Sequence, residues 1–162
     1  MRRRYNTTRY LSAVDCLRSV FPSAALTTDI LTGFPGETEA EFLETADIIR
    51  KVGFSRIHVF PYSPRPNTPA ADMPGQLSAS ERQQRARMLI SIGEEVASRY
   101  RFSWLNRESV TIPEELSDGC WEGYTPEYLR VRLPAGIPCA MGRPVRIRII
   151  DSDAPVLNAE PI

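Results

Sequence analysis

Among 162 residues the sequence has one histidine, His58, and one lysine, Lys51. It has three cysteines, Cys16, Cys120 and Cys139, with no two in a Cys-x-x-Cys pair. A sparse, odd set of thiols excludes a disulfide-stapled scaffold and points to a reducing compartment. No zinc-type ligand spacing is present, so each thiol reads as a small buried or surface group and no metal ligand is expected. No apolar run approaches the ~20 residues of a membrane-spanning helix. The start, Met1-Arg2-Arg3-Arg4-Tyr5, is basic but has no apolar stretch behind it, which excludes a secretory signal. Repeats and low-complexity tracts are also missing. A cytoplasmic protein with no membrane partner is therefore expected.

Twenty basic and twenty acidic side chains balance to a net charge of zero, so the overall charge names no partner. The distribution is uneven. Residues 1–18 hold five arginines against Asp15, residues 37–47 hold five acids and no base, and residues 129–149 hold five arginines and no acid. Such basic patches either bind phosphate or form solvated surface, and Arg2, Arg3 and Arg4 stay open between the two. The 42% apolar and 25% charged content suits a globular fold.

Periodicity predicts a helix over 7–20, with Tyr10, Val14, Leu17 and Phe21 on one face and Pro22 ending it. Residues 24–32 are rich in β-branched and apolar types and read as a strand. Gly33-Phe34-Pro35-Gly36 is a sharp loop, and Thr38 with Glu41 forms a capping box for a helix over 39–52, with Phe42, Ala46 and Ile49 inward. Gly53 stops that helix, and residues 54–60 form a second strand. A crossover helix of this length makes the two strands parallel. Four prolines between Pro61 and Pro69 then build a stiff loop at the carboxyl end of that strand, the edge where α/β folds place ligand sites. Ser78 with Glu81 caps a further helix reaching about Trp104, with Leu89, Ile92 and Val96 inward.

From Ser109 the period changes to two. Tyr128–Leu133 and Val145–Ile149 alternate cleanly, which predicts a small antiparallel sheet or barrel. Arg130, Arg132, Arg146 and Arg148 share one face; Leu129, Val131, Val145, Ile147 and Ile149 share the other. The arginines can neutralise RNA phosphates and Tyr124 and Tyr128 can stack on bases; otherwise the arginines face solvent and the tyrosines pack the core. The tail after Asp151 is polar, contains proline, and is expected to fray.

Two parallel strands do not make a stable sheet by themselves, since parallel sheets have several strands and both faces covered. The first part of the chain is therefore expected to be incomplete, its missing strands supplied by another chain or lost by truncation, with a compact two-stranded unit as the exception.

Three motifs occur in order: Met1-Arg2-Arg3-Arg4-Tyr5, Thr28-Asp29-Ile30-Leu31-Thr32-Gly33-Phe34-Pro35-Gly36-Glu37-Thr38, and His58-Val59-Phe60-Pro61-Tyr62-Ser63-Pro64-Arg65-Pro66-Asn67-Thr68-Pro69-Ala70-Ala71. Together with Glu122-Gly123-Tyr124-Thr125-Pro126-Glu127-Tyr128-Leu129-Arg130-Val131, this series resembles the radical-SAM tRNA methylthiotransferases, most of all those acting on threonylcarbamoyladenosine beside the anticodon. The resemblance implies an α/β chain: residues 1–76 as the last portion of a radical-SAM partial (β/α)6 barrel, 77–106 as a connecting helix, and 107–162 as a TRAM-like antiparallel β-domain that binds tRNA. It implies S-adenosylmethionine as cofactor and [4Fe-4S] clusters in the parent enzyme. The cluster motif Cys-x-x-x-Cys-x-x-Cys is not in this sequence, so the chain is expected to be inactive alone and to carry no catalytic residue or metal ligand. The missing N-terminal half is a possible separate partner chain.

By that resemblance Asp29, Leu31 and Gly33 lie on the strand beside the cofactor's adenine, and His58 and Phe60 lie on the last barrel strand near it. His58 is otherwise a satisfied core residue. Arg65 at the loop either pairs with a phosphate or carboxylate through its fork or stiffens the loop by an ion pair. Tyr124, Tyr128, Arg130, Arg132, Arg146 and Arg148 are the expected RNA contacts. Two departures from the family pattern stand out. Asn67 replaces the usual glycine, a change a left-handed turn tolerates. Glu127 replaces a common asparagine and would repel phosphate. A stand-alone RNA-binding protein and one chain of a split enzyme remain alternatives, as do isopentenyladenosine in tRNA and a ribosomal-protein aspartate as substrates.

Overall fold

A computed structural model describes residues 4–138, 140–151 and 155–162; Arg2, Arg3 and Cys139 lie outside the described residues. The chain forms two compact units: Met1–Pro22 with Leu26–Ala97, and Ser23–Ala25 with Ser98–Ile162.

The first unit contains α1 (Thr7–Val20), β1 (Thr27–Thr32), α2 (Glu39–Val52), β2 (Arg56–Pro61), a short 3-10 turn at Pro69–Asp72, and α3 (Ala79–Phe102) through Ala97. Each helix starts where side chains satisfy its free amides. Asn6 accepts from the Arg9 amide, Thr38 and Glu41 form a reciprocal box, and Ser78 and Glu81 form another. Gly53 ends α2 in the left-handed conformation. Arg18 on α1 adds a hydrogen bond to the Val52 carbonyl at that end.

β1 and β2 pair in parallel, Asp29 opposite His58 and Leu31 opposite Phe60. One face of the pair carries Ile30, Ile57 and Val59, which pack with Val14, Phe42, Ala46, Ile49, Leu89 and Val96 from the three helices. Gly93 on α3 lies so close to Ile57 that an added methyl group would overlap it, so the missing side chain sets how near the helix comes to the strand. The opposite face, with Asp29, His58 and Phe60, is exposed in the described residues. On α1 the inward residues are Tyr10, Leu11 and Val14. Leu17 and Phe21, expected inward with them, are 48% and 60% exposed. Apolar packing from α1 reaches only to Val14, and beyond it the helix meets the end of α2 through the polar Arg18 instead.

The second unit is a closed five-stranded barrel of β3 (Glu108–Ser117), β4 (Cys120–Tyr124), β5 (Arg130–Leu133), β6 (Val145–Ile149) and β7 (Leu157–Pro161), in the order β3-β4-β5-β7-β6. Its interior is Val131, Leu133, Ile147, Ile149, Leu157 and Ala159, with Trp104 and Leu129 against them. Gly123 sits where an added Cβ would meet the Ile112 carbonyl, next to the register shift between Pro113 and Glu115, so the bulge closes on backbone alone. Two expectations change here. The tail does not all fray, because Leu157 and Ala159 bury themselves as β7. Nor is the barrel wholly antiparallel, because β7 runs parallel to β5 and antiparallel to β6.

Candidate nucleic-acid interface

The barrel's outer surface holds the expected RNA contacts in two sectors, because β7 separates β5 from β6. Across β3, β4 and β5, Ile112, Tyr124 and Arg130 stand side by side in register, as do Glu122 and Arg132 on β4 and β5. On β6, Arg146 and Arg148 lie beside β3, with Glu108 opposite Arg148.

Each of the four arginines meets a carboxylate. Glu122 is 4% exposed; its Oε2 lies 2.8 Å from Arg130, and its Oε1 accepts from Arg132 Nε at 2.7 Å. Hydrogen bonding to Glu122 and the nearby negative charge raise the Arg132 guanidinium above its ordinary range. Arg130 also reaches Glu115 at 3.2 Å. Glu108 accepts from Arg146 at 3.3 Å and from Arg148 at 3.0 Å, and Glu160 lies 3.9 Å from Arg148. The stripe that alternation predicts is therefore an arginine–glutamate lattice. Sequence reading missed the four acids because their partners depend on strand register, which alternation within one strand does not carry.

The aromatic part of the surface is more open. Tyr124 is 42% exposed and Tyr128 76%. Tyr128 occupies the left-handed region at φ 58°, where a bulky side chain costs about 1–2 kcal/mol. The turn is fastened around it. The Tyr128 amide donates to the Thr125 carbonyl and the Thr125 amide to the Leu129 carbonyl, each at 3.0 Å. Glu127 accepts from the Ser109 hydroxyl through its carboxylate and from the Tyr100 hydroxyl through its carbonyl. Its carboxylate is thus engaged inside the turn, a role the repulsion argument did not foresee. The turn thus holds an exposed aromatic ring in a fixed position, the geometry that base stacking requires.

In the first unit, Asp29 and His58 are adjacent and exposed, and in register next to them stand half-buried Leu31 and exposed Phe60. An apolar pair beside a polar pair fits one wall for a nucleoside-bearing cofactor such as S-adenosylmethionine. Gly33 is not on that wall. It is buried, its amide donates to Glu37 Oε2 at 2.8 Å, and its α-carbon lies against Arg82. Arg85 grips the same Glu37 carboxylate at 2.6 Å and its carbonyl at 3.0 Å. Arg65 is exposed, and Asn67 after it adopts φ 63°, the left-handed turn that asparagine tolerates. The described residues contain no group of three His, Cys, Asp or Glu suited to a metal ion. Cys16 is exposed on α1 and Cys120 is half-buried on β4, so the described side chains do not form an iron–sulfur ligand set. No described helix is long and apolar enough to cross a membrane.

No protein-family profile matches the chain. Its sequence is 35% identical over 160 residues to a threonylcarbamoyladenosine tRNA methylthiotransferase of Bacillus subtilis, covering 96% of this chain and 35% of that protein. It is 39% identical over 131 residues to the protein of the same name from Thermotoga maritima, covering 80% and 30%. A tRNA-2-methylthio-N(6)-dimethylallyladenosine synthase of Mycobacterium marinum is 48% identical over 97 residues, covering 60% and 18%. The chain thus spans about a third or less of the length of the curated relatives it matches. A solved multidomain protein with nucleic acid binding domains from Streptococcus pneumoniae aligns at 18% identity and a TM-score of 0.31, over 36% of this chain and 23% of its own, a likeness too slight to build on.

Proposed function

The homologues of this chain are radical-SAM tRNA methylthiotransferases, and on that footing we propose that it supplies the cofactor wall and tRNA-gripping part of an enzyme that adds a methylthio group to threonylcarbamoyladenosine in tRNA. The observation that carries this reading is the 35% identity running through 96% of the chain to a relative so named. The first unit corresponds, in this reading, to the last part of a radical-SAM partial barrel, and the second to a TRAM-like domain. Asp29, Leu31, His58 and Phe60 would line one side of S-adenosylmethionine, which when bound supplies the radical and the methyl group. Tyr124 and Tyr128 would stack on tRNA bases, with Arg65, Arg130, Arg132, Arg146 and Arg148 near its phosphates. Cluster ligands are supplied from outside this sequence, and the chain alone is inactive.

A second reading, dimethylallyladenosine as substrate, draws on the higher identity of 48% over the shorter 97-residue stretch. Nucleoside analysis separates the two. The coding region is deleted and total tRNA is digested and measured by mass spectrometry. Loss of methylthio-threonylcarbamoyladenosine with methylthio-dimethylallyladenosine intact supports the first reading, and the reverse supports the second. Retention of both overturns the catalytic assignment. Filter binding of tRNA to the purified chain then asks whether RNA binding persists without catalysis, as it would in a stand-alone RNA-binding protein.

A further inference from the structure

An open groove of about 430 Å3 runs along the start of α1, lined by Arg4, Tyr5, Arg9, Tyr10 and Ala13. That volume lies within the ~300–1,000 Å3 of small-ligand sites. The Tyr5 and Tyr10 rings stack with centroids 6.2 Å apart and planes inclined by 23°. Tyr5 is 48% exposed, and Tyr10 is half-buried with its ring against the core. Neither guanidinium forms an ion pair with a described residue. Glu44 on α2 accepts instead from Thr7, through its hydroxyl at 3.0 Å. This contrasts with the barrel, where each of Arg130, Arg132, Arg146 and Arg148 is already matched by a carboxylate.

We propose that this groove holds one nucleotide of a single-stranded RNA segment, its base against the Tyr5 and Tyr10 rings and its phosphate between Arg4 and Arg9. Two cations with no ion-pair partner among the described residues argue against an apolar occupant, because closing a greasy surface over them would desolvate both charges. An anion with no planar group would leave the stacked rings unused. A nucleotide satisfies both halves: guanidinium forks suit phosphate oxygens, and every base offers a π-face for stacking. The inference rests on the reading of the chain as part of an RNA-modifying protein, and it adds a contact that lies outside the barrel.

Two measurements on the full chain test it. An anticodon-loop RNA bearing 4-thiouridine is photo-crosslinked and adducts are mapped by peptide mass spectrometry. Adducts on residues 4–13 are expected; adducts confined to the barrel overturn the proposal. In the second, anisotropy of the labelled loop is followed through a salt series for the wild type, Arg4→Gln/Arg9→Gln and Tyr128→Ala. Both arginines are exposed, so circular dichroism should stay unchanged in the double variant. Its affinity should fall several-fold, and its log-affinity against log-salt slope should flatten by about 0.7, the value for one phosphate of a single strand. An unchanged slope overturns the groove and leaves the barrel reading standing if Tyr128→Ala still weakens binding. Failure of the wild type to bind at low salt overturns both.

Discussion

The Ser109 hydroxyl donates a 2.7 Å hydrogen bond to the Glu127 carboxylate, while the Tyr100 hydroxyl donates at 3.0 Å to the carbonyl of the same residue. Both bonds hold the turn that presents Tyr128. Glu127→Ala should therefore lower stability by about 1.5–2 kcal/mol, the scale of a hydrogen bond to a charged group, read from urea unfolding. It should also weaken RNA binding by loosening the turn. A gain in RNA affinity would mean that charge repulsion, not anchoring, is what Glu127 contributes.

Tyr128 at φ 58° opposes stability to binding. Tyr128→Asn places a residue that tolerates the left-handed region there, and should stabilise the barrel by about 0.5–1 kcal/mol. The same change removes an exposed ring, and base stacking of about 1–3 kcal/mol goes with it. Thermal unfolding and filter binding should move in opposite directions. A destabilised variant with unaltered affinity would contradict the platform.

Arg85 and Glu37 have side chains only 13% and 14% exposed, and Glu37 also takes the Gly33 amide. Arg85→Ala strands that carboxylate in a poorly hydrated place. The expected cost is about 3 kcal/mol, seen as a lower urea midpoint for the first unit. Arg85→Lys should recover only part, because an ammonium cannot reach the Glu37 carboxylate, its carbonyl and Glu39 together.

Burial is the main cause that raises the Tyr100 hydroxyl above its ordinary value near 10, with the hydrogen bond at Trp104 opposing. A raised folded value means its contribution is complete below pH 10 and is lost as pH climbs from there through the folded value. Tyr100→Phe removes this dependence together with the bond to Glu127. The wild type should be the more stable below pH 10, and the gap should narrow above it. Chemical unfolding at pH 9 and pH 11 gives both points.

The acid side works with the opposite sign. The Glu41 carboxyl is held below its usual range chiefly by the Thr38 amide, and the Glu81 carboxyl chiefly by the Ser78 hydroxyl. Depressed values give stability that is present above the unfolded value near 4.5 and lost as pH falls through the folded one. Helix content by circular dichroism should decline between about pH 5 and pH 3. The decline should be shallower in Glu41→Gln/Glu81→Gln.

Local chemistry was readable along the chain. The bounds of α1 and α2, both capping boxes, the Gly53 stop and the left-handed Asn67 follow from propensity and spacing within a few residues of each position. Pairings across strands were not readable. The acids beneath the arginine stripe come from β3, β4 and β7, and only the register of the folded barrel brings them to Arg130, Arg132, Arg146 and Arg148. Likewise Leu157 and Ala159 looked like a fraying tail because a short alternating run next to prolines has no edge to join until β5 and β6 exist. The strand face proposed as a cofactor wall was half legible as a surface. Alternation put His58 and Phe60 together, whereas Gly33 turned inward because its amide serves Glu37.

β7 fits between two strands made before it. While the chain is being synthesised, β5 and β6 each keep an unpaired row of amides and carbonyls until residues 157–161 emerge, and unpaired edges invite other chains. The barrel is therefore most prone to misassociate late in its own synthesis. Lesions in those last residues should appear first as poor solubility, before any change in RNA affinity is measured.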